Sequence, residues 1–123
     1  VSAYPEIIGG RAGLTGFIDT DEALKRVMGN KKLLIRLLAN FEGKEMADKV
    51  LEAVRSEDSA GIAYEAHKMR GVAANLGLVG LESALRSIED CARAGQDVME
   101  YVPALDAAVD ETMRLIGEIV GEA

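Results

Sequence analysis

Apolar positions recur at helical spacing along most of this chain. The clearest run is Ile62, Ala66, Met69, Ala73 and Leu76, whose offsets of 0, 4, 7, 11 and 14 trace a single stripe on one helix face. Leu105, Val109, Thr112, Ile116 and Ile119 repeat the same offsets. Upstream, residues 19–28 predict a first helix, with Asp19 and Glu22 in capping-box-like positions and Ala23, Leu24 and Val27 on its apolar face. Gly29 and Asn30 end it. A second helix starts at Lys31 and turns Leu34, Leu37, Leu38 and Phe41 inward. Gly43 bends or interrupts it, and Met46, Val50, Leu51 and Val54 carry the period on to about Arg55. A third helix is expected over 58–76, with Gly77 as a left-handed cap. A fourth covers 78–94, with Leu81, Leu85, Ile88 and Ala92 inward and Gly95 as its stop. The last begins near 99–103, where Pro103 suits a first turn.

No segment alternates with period two, so no sheet is predicted. Short connections between long amphipathic helices predict an all-α, antiparallel up-down four-helix bundle over residues 19–121. Residues 1–18 read as a lead-in segment, with an additional short N-terminal helix around residues 4–8. The glycines of this lead-in do not spell a phosphate-cradling loop. Gly16 is followed by Phe17 and Ile18, where that loop needs a lysine and a hydroxyl.

Composition narrows the function classes. The 123 residues are 49% hydrophobic and 28% charged, which fits one globular domain. A formal net charge of −7 disfavours nucleic acid, whose phosphates demand a basic surface. No run approaches the roughly 20 apolar residues that span a bilayer, so no membrane contact is expected. Residues 1–5 lack the basic and apolar regions of a signal peptide, and the missing initiator Met fits a fragment or a processed chain. The lone cysteine, Cys91, excludes an internal disulfide and fits a reducing, cytoplasmic setting.

His67 is the one histidine. At about 100° per residue it falls roughly 140° from the centre of the 62–76 stripe, so it should face water. Its neighbours on that surface are Ala60, Ala63, Gly71 and Ala74, all small, with Tyr64 beside them. A glycine inside a helix costs about 1 kcal/mol relative to alanine, so a clearing that keeps one suggests that a large partner lands there. One outward histidine and no Glu-x-x-His pair argue against a metal-binding bundle. No serine is spaced to form a hydrolytic triad with it, so a self-contained enzyme is not expected. A neutral imidazole can instead attack a phosphoryl group and hold it. Lys68 and Arg70 lie about 100° and 60° from His67 around the helix, on opposite sides, within reach of phosphoryl oxygens. By geometry alone, an exposed mid-helix histidine flanked by basic residues is more often a plain solvated face.

The string Ala66, His67, Lys68, Met69, Arg70, Gly71, followed by Val72, Ala73, Ala74, Asn75, Leu76, Gly77, resembles the signature of histidine-containing phosphotransfer (HPt) domains. Residues 16–19, 22–24, 29–30, 37–38 and 41 resemble that family's leading segment, and residues 81–95 its following helix. The resemblance implies a four-helix bundle that relays phosphoryl groups between aspartates of response-regulator receiver domains, with a hybrid sensor histidine kinase as a further candidate partner. It implies His67 as phosphoacceptor, Arg70 in the place of the family's usual lysine with Lys68 assisting, and Gly71 as room for the receiver. Ala60, Ala63, Tyr64 and Ala74 complete the expected docking surface. Met69 stands where leucine is usual. No cofactor is expected in the domain itself, Mg²⁺ being the receiver's. Lys25, Arg26, Lys31, Lys32 and Arg36 make residues 25–36 the most basic stretch of an acidic chain, which either steers an acidic receiver or is merely solvated. Two rivals stay open: a non-catalytic interaction or dimerisation bundle, and the phosphotransfer domain of a chemotaxis-type kinase.

Overall fold

A computed structural model describes residues 17–122. The short helix expected around residues 4–8 lies outside them. Among the described residues there are six α-helices, one 3-10 turn and no strand.

Helix α1 (Thr20–Arg26) starts where Asp19 accepts a hydrogen bond from the Glu22 amide at 3.0 Å. It ends on Met28 and Gly29, both left-handed at φ 56° and 77°, with the Gly29 amide returning to the Leu24 carbonyl at 2.8 Å. Asn30 caps α2 (Lys31–Ala39) through the Leu33 amide at 3.0 Å.

The chain then breaks, where the periodicity allowed one bent helix. The break falls at residues 40–42, and Gly43 is the first residue of α3 (Gly43–Arg55) rather than a kink within it. Phe41 is the physical reason. Its ring turns into the core and lies over Gly43, where a β-carbon would meet Phe41 Cε2 at 2.8 Å and Met113 Sδ at 2.9 Å.

Helix α4 (Ser59–Asn75) is capped by Asp58 on the Gly61 amide at 3.0 Å. It closes through left-handed Gly77, with the Leu78 amide on the Ala73 carbonyl at 2.9 Å. The segment before α1 is tied to this turn: the Asp19 amide donates to Gly77 O at 2.7 Å and the Gly80 amide to Phe17 O at 3.1 Å. A β-carbon on Gly77 would collide with the Asp19 carbonyl, so both position and φ require glycine there. Helix α5 (Val79–Arg93) stops at Gly95, φ 71°. A 3-10 turn (Met99–Tyr101) leads into α6 (Val102–Glu122).

Helix α4 packs on α3 and α5, α5 on α6, and α6 on α2 and α3, which closes a circuit around one core. Leu34, Leu38, Met69, Leu81, Leu85, Ile88, Leu105 and Ile119 are fully buried there. Burying such a side chain stabilises the fold by about 1.5–3 kcal/mol. Two inward assignments need correction or refinement. Leu37, expected inside, is 39% exposed, because Leu34 and Leu38 already define the buried line of α2 and Leu37 sits at its edge. Thr112 is buried as its spacing required, but its hydroxyl has no hydrogen-bond partner.

These placements predict unequal losses. In urea denaturation, Leu85→Ala should cost about 2–5 kcal/mol. Leu37→Ala should cost under about 1 kcal/mol.

Candidate functional site

Helices α4 and α5 make the most extensive packing pair in the fold. Ala66, Met69 and Ala73 of α4 and Leu81, Leu85, Ile88 and Ala92 of α5 are all buried. The small α4 residues let the helices approach closely, and the polar edge of their seam carries His67, Arg70, Glu89 and Arg93.

His67 faces outward, with 61% of its side chain exposed, as its angular position predicts. It is not isolated. Its Nδ1 lies 2.9 Å from Oε2 of Glu89, whose own side chain is only 4% exposed. Arg70 Nε donates to Glu89 Oε1 at 2.8 Å. Arg93 donates to Oε2 twice, from Nε at 2.9 Å and Nη2 at 2.7 Å. A buried carboxylate is tolerated only with such partners. Burial alone would raise the Glu89 pKa, but the hydrogen bonds from Arg70, Arg93 and His67, with the charge of Arg70, bring it down to about 2. Arg70 is raised in turn, chiefly by its hydrogen bond to Glu89.

An ionised Glu89 only accepts, so the proton between it and His67 sits on Nδ1. Arg70 Nη2 also lies 3.3 Å from Nδ1. That approach is a contact and not a hydrogen bond, because a protonated Nδ1 has no lone pair to offer. The neutral ring therefore keeps its lone pair on Nε2, which has no hydrogen-bond partner among the described residues.

Sequence reasoning missed Glu89 and Arg93. Glu89 follows Ile88 on the edge of the α5 apolar stripe, where periodicity alone reads it as solvated. The available signal was the Glu-to-Arg spacing of four within a helix, beside an arginine on the neighbouring helix.

The other expected residues divide. Ala60, Tyr64 and Gly71 are exposed and Ala74 half-buried, but Ala63 is 8% exposed. The expected clearing is thus narrower than drawn, because Ala63 turns far enough toward the core to be covered. Among the described residues Lys68 is paired away from the ring. Its ammonium pairs with Glu65 at 3.3 Å and lies 5.4 Å from the centre of the Tyr64 ring. Gly71 differs from Gly43 and Gly77: a β-carbon there would meet nothing within 4 Å. Internal packing gives no reason for glycine at this mid-helix position.

An apolar groove lined by Leu37, Phe41, Met46, Val72 and Leu76 runs along the Lys68 side of α4, and His67 is not among its lining residues. Among the described residues no cluster of three or more His, Cys, Asp or Glu could hold a metal ion. Nor is any described helix long and apolar enough to cross a membrane.

A family model described as Hpt domain matches residues 37–116, well over half of the chain. The chain belongs to the Hpt domain family. The match confirms the resemblance carried by residues 66–77, and it contains His67, Arg70, Glu89 and Arg93. It starts within α2, so the resemblance seen in residues 16–36 lies outside it, and it extends through most of α6. Hpt domains are phosphocarrier modules that serve histidine phosphotransfer in two-component systems. Neither the curated proteins nor the solved structures gave a match.

The Glu89 network has a pH signature. The folded pKa of about 2 lies below the ordinary 4.5, so its contribution to stability is fully present above pH 4.5 and lost as pH falls toward 2. Acid titration of the unfolding free energy should show wild type losing on the order of 3 kcal/mol across that window that Glu89→Gln does not lose. Parallel curves for the two proteins would contradict the assignment.

Proposed function

We propose that this Hpt domain accepts a phosphoryl group from a receiver-domain aspartate onto Nε2 of His67 and passes it to a second receiver. The observation that carries this is the 2.9 Å hydrogen bond from His67 Nδ1 to Glu89, which leaves a lone pair on the other nitrogen of an exposed ring. In the transfer, the phosphorus–oxygen bond of the aspartyl phosphate breaks and a phosphorus–nitrogen bond forms at Nε2. The aspartate leaves as its carboxylate. No proton moves: Nδ1 keeps its hydrogen, and the positive charge that develops on the ring is met by Glu89.

Arg70, already beside the ring, neutralises phosphoryl oxygen charge in this reading, while Lys68 would have to leave Glu65 to do so. Gly71, Ala60, Ala74 and Tyr64 give the receiver its landing surface, which explains a glycine that internal packing does not require. The exposed cations of α1 and α2 steer an acidic partner. The helix circuit is read as an antiparallel up-down four-helix bundle over residues 19–121, with residues 1–18 as lead-in. Mg²⁺ belongs to the receiver's own site, and we assign no cofactor and no nucleotide site to this domain. The setting is cytoplasmic, and a hybrid sensor kinase is a candidate phosphoryl source.

Incubation with a phosphorylated receiver should place acid-labile, base-stable phosphate on wild type and none on His67→Gln. Gly71→Ala should fold at least as stably as wild type, gaining up to about 1 kcal/mol, yet accept phosphate more slowly. Failure to label wild type with several receivers, or undiminished label on His67→Gln, would leave a plain interaction bundle as the better reading.

A further inference from the structure

Two neighbours of His67 Nδ1 favour opposite tautomers. Glu89 Oε2, at 2.9 Å, accepts and requires a proton on Nδ1. Arg70 Nη2, at 3.3 Å, donates and would require a bare Nδ1, which moves the ring proton to Nε2 and blocks it as a nucleophile. Glu89 prevails in this competition only while its Oε2 stays on the imidazole. We propose that Arg93 is the positioning residue that settles it, by holding Glu89 Oε2 on the imidazole. This proposal rests on His67 being the phosphoacceptor.

Arg93 directs two N–H groups, at 2.9 and 2.7 Å, to the same oxygen that receives His67 Nδ1. It stands one turn after Glu89 on α5, so a single rigid backbone sets their geometry. With three donors on it, Oε2 has no lone pair left for Arg70. Arg70 is therefore held to a single bond, Nε to Oε1 at 2.8 Å. This is an unusual restraint on a guanidinium, whose fork matches both oxygens of a carboxylate.

Without Arg93, that fork closes. Arg70 Nη2 takes Oε2 with one hydrogen and presents the other to Nδ1, from a position already within 3.3 Å of it. Glu89 then turns with the Arg70 fork, Oε2 leaves the imidazole, and the ring proton shifts to Nε2. Arg93 thus sets the nucleophilic nitrogen of a residue that it does not touch. Its side chain is 57% exposed, so removing it does not open the core.

The test is nitrogen-15 NMR of the His67 ring in unphosphorylated protein, at a pH where the ring is neutral. Wild type should show the Nδ1–H tautomer. Arg93→Ala should shift the population toward Nε2–H and slow phosphoryl acceptance by about tenfold, the scale expected when an orienting partner is lost. Arg93→Lys, which restores one donor, should recover part of both. Arg86→Ala removes an exposed arginine of the same helix, paired with Glu82 at 2.9 Å, and should change neither. A wild-type tautomer population in Arg93→Ala overturns the proposal. Because this readout needs no phosphate, it is separate from the labelling of wild type, whose failure would overturn the phosphoacceptor reading beneath it.

Discussion

A carboxylate with 4% of its side chain exposed must be surrounded by donors or it would not stay ionised, and this constraint organises the site. Glu89 meets it with four N–H groups from three side chains on two helices. Each donor is fixed in return. His67 is oriented and its tautomer chosen, Arg70 is held half-buried beside the ring, and Arg93 is kept along α5. A histidine that would otherwise sample rotamers and tautomers in water is thereby prepared for one chemistry. The charge sum matters as well. The carboxylate and the two guanidinium groups bonded to it carry one net positive charge between them, with Glu82 and Asp90 nearby on the same helix.

Packing of α4 on α5 sets these distances. The turn between the helices closes through Gly77, whose carbonyl is bound by the Asp19 amide and whose α-carbon has no room for a side chain. That lock fixes where α5 begins, and the apolar seam then fixes the depth of Glu89. Gly77 and Gly43 are glycines because this chain fills the space beside them. Gly71 is a glycine with open space beside it, on the helix face that carries His67. Gly117 and Gly121 of α6 also have open space beside them, so what sets Gly71 apart is that it shares a helix with His67.

Much of the fold was legible in the sequence. The cap at Asp19, the helix ends at Gly29, Gly77 and Gly95, and the stripe from Ile62 to Leu76 are local signals that tertiary structure did not override. The break at residues 40–42 was harder, because it depends on where the Phe41 ring settles against α6. The shortfalls at Leu37 and Ala63 arose at stripe edges, where a helical wheel cannot say how far a neighbouring helix reaches. In the site, His67 was readable from its angle and its local motif. Glu89 was not, because its burial exists only once α4 lies on α5. Arg70 is legible from the local motif, but its bond to Glu89 depends on the same packing.

If Glu89 holds the proton on Nδ1, Nε2 alone is open to a phosphoryl group. Nitrogen-15 and phosphorus-31 NMR of the phosphorylated domain tests it most directly. Phosphorus should couple to His67 Nε2, with Nδ1 still protonated and hydrogen-bonded to Glu89. Phosphorus on Nδ1, or on any residue other than His67, would contradict it.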